Sequence, residues 1–338
     1  MCYTPPKLHF KKGYPMKIPK KIASILLHFV FALLLLLLVV WVGLLIAKVL
    51  VYRDYMAEKE NVCTIPDLNG GFVPQGLDHV DGETYLFSGY HGKDMLSLYI
   101  SENGVSKKIL PVDQNGNALE GHGGGITSAK DFVYISSEEK LIVFSLSDLK
   151  QAKDGDKVAC LGTFPVDTAA SFCFATETHI YVGEYYKTEK YEIDLSHSYT
   201  TPAGDPHRAL VSCYPLAEDG SIADVYPIYS ISITSMVQGF AVKDDTFMLS
   251  RSWGLSSSKL EFYNGLKNSG TEIDISGKSV PLYYLDSSNL EKTATLPAFS
   301  EDLDVVGERV IVSFESACNK YIVGKLFWAN QVISYPID

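Results

Sequence analysis

The chain has 338 residues, of which 46% are hydrophobic, and its 29 basic and 40 acidic residues give a formal net charge of −11. The charge is uneven: residues 1–50 contain seven basic residues and no acidic one, which leaves 22 basic and 40 acidic residues, a charge of −18, in the rest of the chain. An acidic domain of this kind repels polyanions, which excludes nucleic acid and anionic lipid headgroups as its partners.

The first long element is an apolar segment from Ile22 to Ala47 that contains no charged residue. As a helix rising ~1.5 Å per residue, it is about 39 Å long, enough to cross a hydrocarbon core of ~30 Å. Lipid offers no partner to free backbone amides, so a spanning segment of this kind must be helical. We therefore predict a single-pass protein held in the lipid bilayer by one transmembrane helix within residues 22–50.

The charges on either side of this segment predict its orientation. Six lysines and no acidic residue precede it, whereas acidic residues begin at Asp54. Because the flank richer in Lys and Arg stays inside, residues 1–21 form a basic cytoplasmic tail, and the chain beyond residue 50 is extracytoplasmic. A cleaved signal peptide is the alternative, but its apolar core of about 7–15 residues is shorter. We predict an uncleaved signal-anchor.

Residues 51–60 are interpreted as a linker, and residues 61–338 form a repeat domain. Short runs of Val, Ile, Tyr and Phe alternate there with turn-forming Gly, Asp, Asn and Ser, which is typical of strands. One unit recurs five times: a small or polar pair opens an apolar strand, a turn follows, and a second apolar strand ends at a small residue. The closing residues are Ser88, Ser136, Gly183, Ser250 and Ser313.

Further strands between these hairpins bring each unit to about four antiparallel strands. Four-strand units repeated every ~40–50 residues indicate a β-propeller, in which small residues fit beside a crowded axis. A β-sandwich is the alternative, but it has no reason to repeat one position five times. We predict an all-β, five-bladed propeller, or a six-bladed one with a degenerate blade within 255–295. Pairing of residues 61–66 with the region 325–336 closes the ring.

Cysteines stand at positions 2, 63, 160, 173, 213 and 318, and five of them lie beyond the apolar segment. Their spacing matches no zinc site, and an odd number allows at most two disulfides. The alternative is that they are small buried hydrophobic residues within strands.

Five phrases, spread over most of the repeat domain, carry a resemblance. They are Val73-Pro74-Gln75-Gly76-Leu77, Gly121-His122-Gly123-Gly124-Gly125, Tyr181-Val182-Gly183-Glu184, Val237-Gln238-Gly239 and Phe314-Glu315-Ser316-Ala317 followed by Lys320-Tyr321. The domain resembles secreted or membrane-anchored bacterial propellers without an assigned activity, which are distantly similar to gluconolactonase and strictosidine synthase propellers. The resemblance implies a fold, and a fold does not carry function. Lactonases of that type use an acidic and amide cluster at the channel mouth. Glu301 lies at the start of an inner strand, but the equivalent places hold Gln75, Gly124, Ser171 and Gln238, so the cluster does not map onto this sequence.

Two sets of polar residues are not needed by a purely structural repeat. One set opens the inner strands, and the other follows the small closing residues. Because the two strands run antiparallel, we expect the two sets at opposite ends of the blades. The first set is Gln75, Gln238 and Glu301, with His122 just before its glycines; the second is Tyr90, Glu138, Glu184, Tyr185, Arg251, Trp253 and Glu315. The candidates for ligand binding are Gln75, His122, Glu184, Gln238, Arg251, Glu301 and Glu315.

Each candidate has a structural alternative. Arg251 and Glu315 either form a salt bridge between blades or position an arginine for a carboxylate or sugar ligand. His122 either fixes a tight glycine turn through a hydrogen bond or acts as a ligand or general base. The glycines after His122 lack the Lys-Ser/Thr of a phosphate-binding loop, no G-x-S-x-G motif is present, and the histidines show no metal spacing.

Two functional hypotheses follow. The first is a non-catalytic ligand-binding or scaffolding module that holds a protein, glycan or small molecule near the membrane, because the sequence contains no recognisable catalytic constellation. The second is an extracytoplasmic hydrolase or lyase of the lactonase-like type, with a divalent metal at Glu301 and Glu315. The sequence identifies neither a catalytic residue nor a cofactor.

Overall fold

The computed structural model describes residues 19–327 and 329–338. The chain forms two units, one ending at Arg53 and one running from Asp54 to Asp338. Residues 1–18, which are most of the predicted cytoplasmic tail and include Cys2, lie outside the described residues.

The first unit is helix α1, Lys20–Val51, whose 32 residues include no buried side chain. By length and composition this helix could cross a membrane, and a signal sequence would have the same properties. A short helix, α2 (Arg53–Glu58), follows within the predicted linker.

The second unit consists of strands, apart from α2, helix α3 (Leu146–Gln151) and two 3₁₀ turns, Leu195–His197 and Gly324–Phe327. The strands are β1 Glu60–Thr64, β2 Phe72–Asp81, β3 Thr84–His91, β4 Met95–Glu102, β5 Val105–Val112, β6 Gly125–Ala129, β7 Phe132–Ser137, β8 Lys140–Ser145, β9 Lys157–Ala159, β10 Gly162–Pro165, β11 Phe172–Ala175, β12 His179–Gly183, β13 Tyr199–Thr200, β14 Pro206–His207, β15 Ala209–Pro215, β16 Tyr229–Ile233, β17 Val237–Lys243, β18 Thr246–Arg251, β19 Ser258–Asn264, β20 Lys267–Ile275, β21 Lys278–Tyr284, β22 Leu290–Leu296, β23 Ser300–Val306, β24 Arg309–Phe314 and β25 Gln331–Pro336.

These strands form five blades, so the predicted five-bladed propeller is confirmed. From the inside outwards the blades are β2-β3-β4-β5-β9, β6-β7-β8-β10, β11-β12-β15-β16-β21-β20, β17-β18-β19-β22 and β23-β24-β25-β1. The innermost strands pack against one another in chain order, and β23 packs against β2, which closes the ring. The region considered for a sixth blade instead supplies β19 and β22 to the fourth blade and the hairpin β20–β21 to the edge of the third.

Ring closure also follows the prediction. Strand β1 pairs antiparallel with β25, from Glu60 opposite Ser334 to Thr64 opposite Gln331. The last blade therefore combines strands from both ends of the domain. Because β1 starts beside the end of β25, the chain enters the propeller on the face opposite the one where the innermost strands begin. We call the face where they begin the mouth.

The five small residues occupy the ends of the second strands, and they are buried. Three of them lie opposite glycines of the innermost strands: Gly76 with Ser88, Gly125 with Ser136, and Gly239 with Ser250. A Cβ added at Gly125 would come within 2.5 Å of the Cys173 backbone nitrogen in the next blade. The closest packing at the axis is therefore at these glycines. They lie on the innermost strands, whereas the small closing residues identified in the sequence lie on the second strands.

The cysteines beyond α1 carry free thiols, and all except Cys63 are buried. Their interpretation as small buried hydrophobic residues therefore fits the described part of the chain.

The crowding at the axis can be tested at Gly239. An alanine Cβ there would lie 2.7 Å from Asp302 Cα, a backbone position that cannot give way. We expect Gly239→Ala to lower the free energy of unfolding by about 2 kcal/mol, a typical cost of overpacking. Gly162→Ala is the matched control, since no atom lies within 4 Å of its added Cβ. Denaturant titration of the full chain in detergent measures both, and equal stability of the two variants would contradict the interpretation.

Candidate functional site

A cavity of about 640 Å³ opens at the mouth and is lined by all five blades. Its walls are rich in rings: Tyr90, His122, Tyr185, Tyr191, Trp253, Phe299 and Tyr321. Polar groups alternate with the rings: Gln75, Asp94, Glu138, Lys190, Glu192, Gln238, Glu315 and Lys320. A concave site of this size with a few convergent polar groups is typical of small-molecule binding.

Both predicted sets of polar residues lie at this mouth, and the expectation that they would lie at opposite ends is wrong. In an antiparallel hairpin the first residues of one strand pair with the last residues of the next. Val237 accordingly pairs with Arg251, and Ser300 with Phe314. Of the seven candidates, Gln75, His122, Gln238 and Glu315 line the cavity; Glu301, Glu184 and Arg251 are not among its lining residues.

Glu301 and Glu315 form a hydrogen-bonded carboxyl pair, and both are buried. Gln75 Nε2 donates to Glu315 Oε2 at 3.1 Å, and Gln238 Nε2 donates to Glu301 Oε1 at 3.4 Å. Burial raises the pKa of Glu315 to about 7, although the Lys320 ammonium acts in the opposite direction. Burial and the neighbouring Glu315 charge raise the pKa of Glu301 well above its usual value. The pair therefore holds a proton to a higher pH than two exposed carboxyl groups would.

Arg251 does not pair with Glu315, which rules out the predicted inter-blade bridge. Its Nη1 lies 2.5 Å from Glu261 Oε1 on the neighbouring strand of the same blade, and its Nε donates to the Ser235 carbonyl at 3.1 Å. Successive side chains of a strand point to opposite faces. Arg251, the residue after Ser250, therefore directs its side chain to the neighbouring strand of its own blade.

Glu184 is also fully engaged. Its carboxylate accepts hydrogen bonds from the backbone amides of Leu210 and Ala169 and pairs with His197 Nδ1 at 2.9 Å. Burial alone would lower the pKa of His197, but the Glu184 carboxylate more than offsets this effect and the pKa is raised. His197 belongs to the long β12–β15 loop whose residues 190–193 line the cavity. Glu184 thus holds this wall of the mouth in place.

His122 stacks on Tyr90, with ring centroids 4.7 Å apart and planes 17° apart. Its Nε2 lies 3.0 Å from Asp94 Oδ1, and the side chain is about half exposed. The hydrogen bond predicted to fix a glycine turn goes instead to a carboxylate on the neighbouring blade. His122 therefore contributes a polarised ring to the cavity wall.

Below the carboxyl pair, three more carboxyl groups lie between the inner strands, of which Asp302 and Asp78 are buried and Asp304 is half-buried. Asp302 Oδ2 accepts the backbone amides of Leu77 at 3.1 Å and Ile126 at 3.4 Å, so one side chain joins three blades. Asp304 accepts the His79 amide at 2.5 Å, and Asp78 accepts the Ser128 amide at 3.0 Å. Asp302 Oδ1 and Asp78 Oδ2 have no partner among the described residues. Burial raises the pKa of all three carboxyl groups.

The sequence reading missed several of these groups. Asp302 and Asp304 alternate along a strand that opens at the axis, a period-two signal that could have revealed them. Lys320 and Tyr321 were noticed only as part of a shared phrase. Lys190 and Tyr191 lie in a loop without a pattern and carry no such signal. Within the described residues, no group of three or more His, Cys, Asp or Glu side chains is arranged to hold a metal ion.

No protein-family model matches the chain, and no curated protein is similar to it. Similar solved structures include the PQQ-bound aldose sugar dehydrogenase of Streptomyces coelicolor, at 13% identity over 82% of this chain and 96% of that one, with a TM-score of 0.45. A glucose dehydrogenase-type oxidoreductase of Thermus thermophilus has 10% identity over 82% and 98%, with a TM-score of 0.42. BamB of Moraxella catarrhalis has 10% identity over 78% and 83%, with a TM-score of 0.32.

The expected resemblance to propeller proteins that lack an assigned activity holds for the fold. The five sheets establish this fold by themselves. Similarity at this level carries no argument about ligand or reaction. The site must be interpreted from its own residues.

The buried carboxyl groups make stability depend on pH. The pKa values of Asp78, about 6, and Glu315, about 7, lie above the values of ~3.9 and ~4.3 expected in the unfolded chain. Such groups bind more protons when folded, so their contribution is complete below about pH 4 and is lost as pH rises through the folded pKa. We expect one such group to cost on the order of 3 kcal/mol between about pH 4 and pH 8.

Asp302→Asn isolates this effect. Asparagine keeps an oxygen for the amides of Leu77 and Ile126 but cannot ionise. We expect the variant to match the wild type near pH 4 and to melt at a higher temperature at pH 8. The exposed Glu177→Gln serves as the control. Comparing variant with wild type at each pH cancels the opposite contribution of surface carboxylates. A variant that melts below the wild type at pH 8 would contradict the interpretation.

Proposed function

We propose that the protein is a membrane-anchored, extracytoplasmic β-propeller that binds a small polar ligand in its mouth. The observation that carries this proposal is the 640 Å³ cavity, in which rings from the blades surround Glu315, one member of the buried carboxyl pair, and two side-chain amides. A purely structural mouth has no need for buried acidic groups, because ionised carboxyls are costly to desolvate.

Helix α1 is the proposed anchor. The excess of lysines before it supports a cytoplasmic N-terminus and an extracytoplasmic propeller. The chain enters the propeller on the face opposite the mouth, through β1 and its pairing with β25. A connection on that face leaves the mouth clear of the entering chain.

The lining explains which ligands the mouth suits. Tyrosine and tryptophan offer broad apolar faces and one polar atom each, and they order at low conformational cost. Gln75 and Gln238 fix the carboxyl pair from two different blades, so the acceptors are positioned before any ligand arrives. Preorganised polar groups of this kind give orientation to a ligand that stacks on the rings.

The binding function can be tested at Trp253, which lines the cavity with its ring about one third exposed. We expect small polar metabolites that raise the melting temperature of the full chain in detergent to lose at least about tenfold in affinity on Trp253→Ala, because a stacking face is removed. Leu290→Ala, at an exposed site outside the cavity, is the control. A ligand that binds both variants equally well would place binding elsewhere.

A second candidate function is that of a hydrolase or lyase, favoured by Glu315. This carboxyl faces the cavity, and its pKa of about 7 suits proton transfer at neutral pH. Glycosidases hold their two carboxyls about 5–9.5 Å apart. The hydrogen-bonded pair seen here is closer, so Glu301 and Glu315 would act together as one proton-sharing group on a lactone or ester.

This candidate predicts a specific pH profile. If the protein turns over a lactone or ester, the rate should have a midpoint near pH 7, and Glu315→Gln should reduce it by at least about a hundredfold, the usual contribution of a general acid–base group. Gln75→Ala should shift the midpoint without abolishing the rate, because Gln75 only donates to Glu315. A profile that is unchanged in Glu315→Gln would exclude Glu315 from the reaction.

A further inference from the structure

A lysine of the protein itself fills one corner of the mouth. Lys320 Nζ donates to Tyr90 Oη and lies 4.9 Å from the centre of the Tyr90 ring and 5.2 Å from that of Tyr321. The ammonium therefore lies beyond the Tyr90 hydroxyl, near the plane of that ring, and within cation–π range of the Tyr321 ring, while Lys320 as a whole is exposed. The corner therefore binds an ammonium group already, and that group is intramolecular.

The surroundings of this ammonium are rigid and acidic. Tyr321 stacks on Phe299 with centroids 4.7 Å apart, and Tyr90 stacks on His122 at the same distance. Tyr321 and Gln75 both hydrogen-bond to the buried Glu315 carboxyl, next to Lys320. Two backed rings and a fixed carboxyl thus form an enclosure that exists independently of the lysine side chain.

Lys320 and Tyr321 are carried by the same loop, but the Tyr321 ring is packed against Phe299 whereas Lys320 is exposed. Lys320 lies between β24 and β25, in a stretch whose next residues, Ile322 and Val323, are exposed. A lysine head on a flexible four-carbon stem can move into water at little cost. Its departure would remove the positive charge that lowers the pKa of Glu315, which an incoming cation would restore and a neutral or anionic group would not. A cation is therefore the replacement that the site favours.

The charges of the rest of the mouth agree with this preference. Four acidic residues line the cavity, Asp94, Glu138, Glu192 and Glu315, against two lysines. The second lysine, Lys190, is also held by rings, 4.7 Å from Trp253 and 5.3 Å from Tyr191. Both cations of the mouth therefore lie within cation–π range of aromatic rings, Lys190 of Trp253 and Tyr191 and Lys320 of Tyr321.

We propose that Tyr90, Tyr321 and Glu315 form an ammonium subsite, occupied by Lys320 in the free protein and taken over by the primary ammonium group of a small organic amine. This inference rests on the proposed binding function and names its ligand class. Lys320 then acts as an internal competitor that keeps the enclosure filled until an amine displaces it.

The test uses n-butylammonium, which reproduces the end of a lysine side chain, with 1-butanol and butyrate as neutral and anionic counterparts. Binding is measured by titration calorimetry on the full chain in detergent. We expect Lys320→Met to bind n-butylammonium at least about tenfold more tightly than the wild type, and neither counterpart to bind. Adding Glu315→Gln should remove this gain. Lys325→Met, in the same loop but bonded to Asn69 and Asn319, should behave as the wild type.

A second measurement needs no variant. In the wild type, saturating n-butylammonium should raise the acetylation rate of Lys320 at least about fivefold by displacing its ammonium, while Lys325 stays unchanged. An unchanged Lys320 rate, a Lys320→Met variant that binds the amine no more tightly, or equal binding of 1-butanol would each overturn the proposal. If a neutral metabolite still binds in a Trp253-dependent manner, the binding function stands and only the amine subsite fails.

Discussion

The propeller depends on one buried carboxyl group at its axis. Asp302 accepts backbone amides from the first and second blades while it belongs to the fifth, and the glycine of the fourth blade packs directly against its Cα. Each innermost strand has a sheet neighbour on one side only, so the amides that it directs to the axis, such as those of Leu77 and Ile126, have no partner within their own sheets. A single acceptor that reaches several of them satisfies these donors at a point too narrow for separate side chains.

The same constraint shapes the mouth. Because each innermost strand begins where the second strand ends, every blade delivers two groups of side chains to one end of the axis. Glu301 and Glu315 meet there from adjacent strands of one blade, and Gln75 and Gln238 reach them from two others. The acidic pair comes from one blade, and ring closure adds the two amide donors from two other blades.

Desolvation explains the electrostatics of this region. From the mouth downwards, four carboxyl groups are buried and a fifth, Asp304, is half-buried, and desolvation raises the pKa of each. Amide donors compensate some of them, and Lys320 compensates Glu315 from the side of the cavity.

The sequence by itself determined the apolar helix, the five repeats, the all-β fold and the pairing of the two ends of the domain, because length, hydrophobic periodicity and small residues are local signals. It also identified Gln75, Gln238, Glu301 and Glu315 as polar residues at positions where a purely structural repeat does not require a polar side chain. Only the tertiary structure decided their partners. Arg251 pairs with Glu261, Glu184 pairs with His197, and Lys320 lies against Tyr90. The direction of a side chain and its neighbour across a blade depend on strand register and ring closure, and no local sequence pattern encodes these.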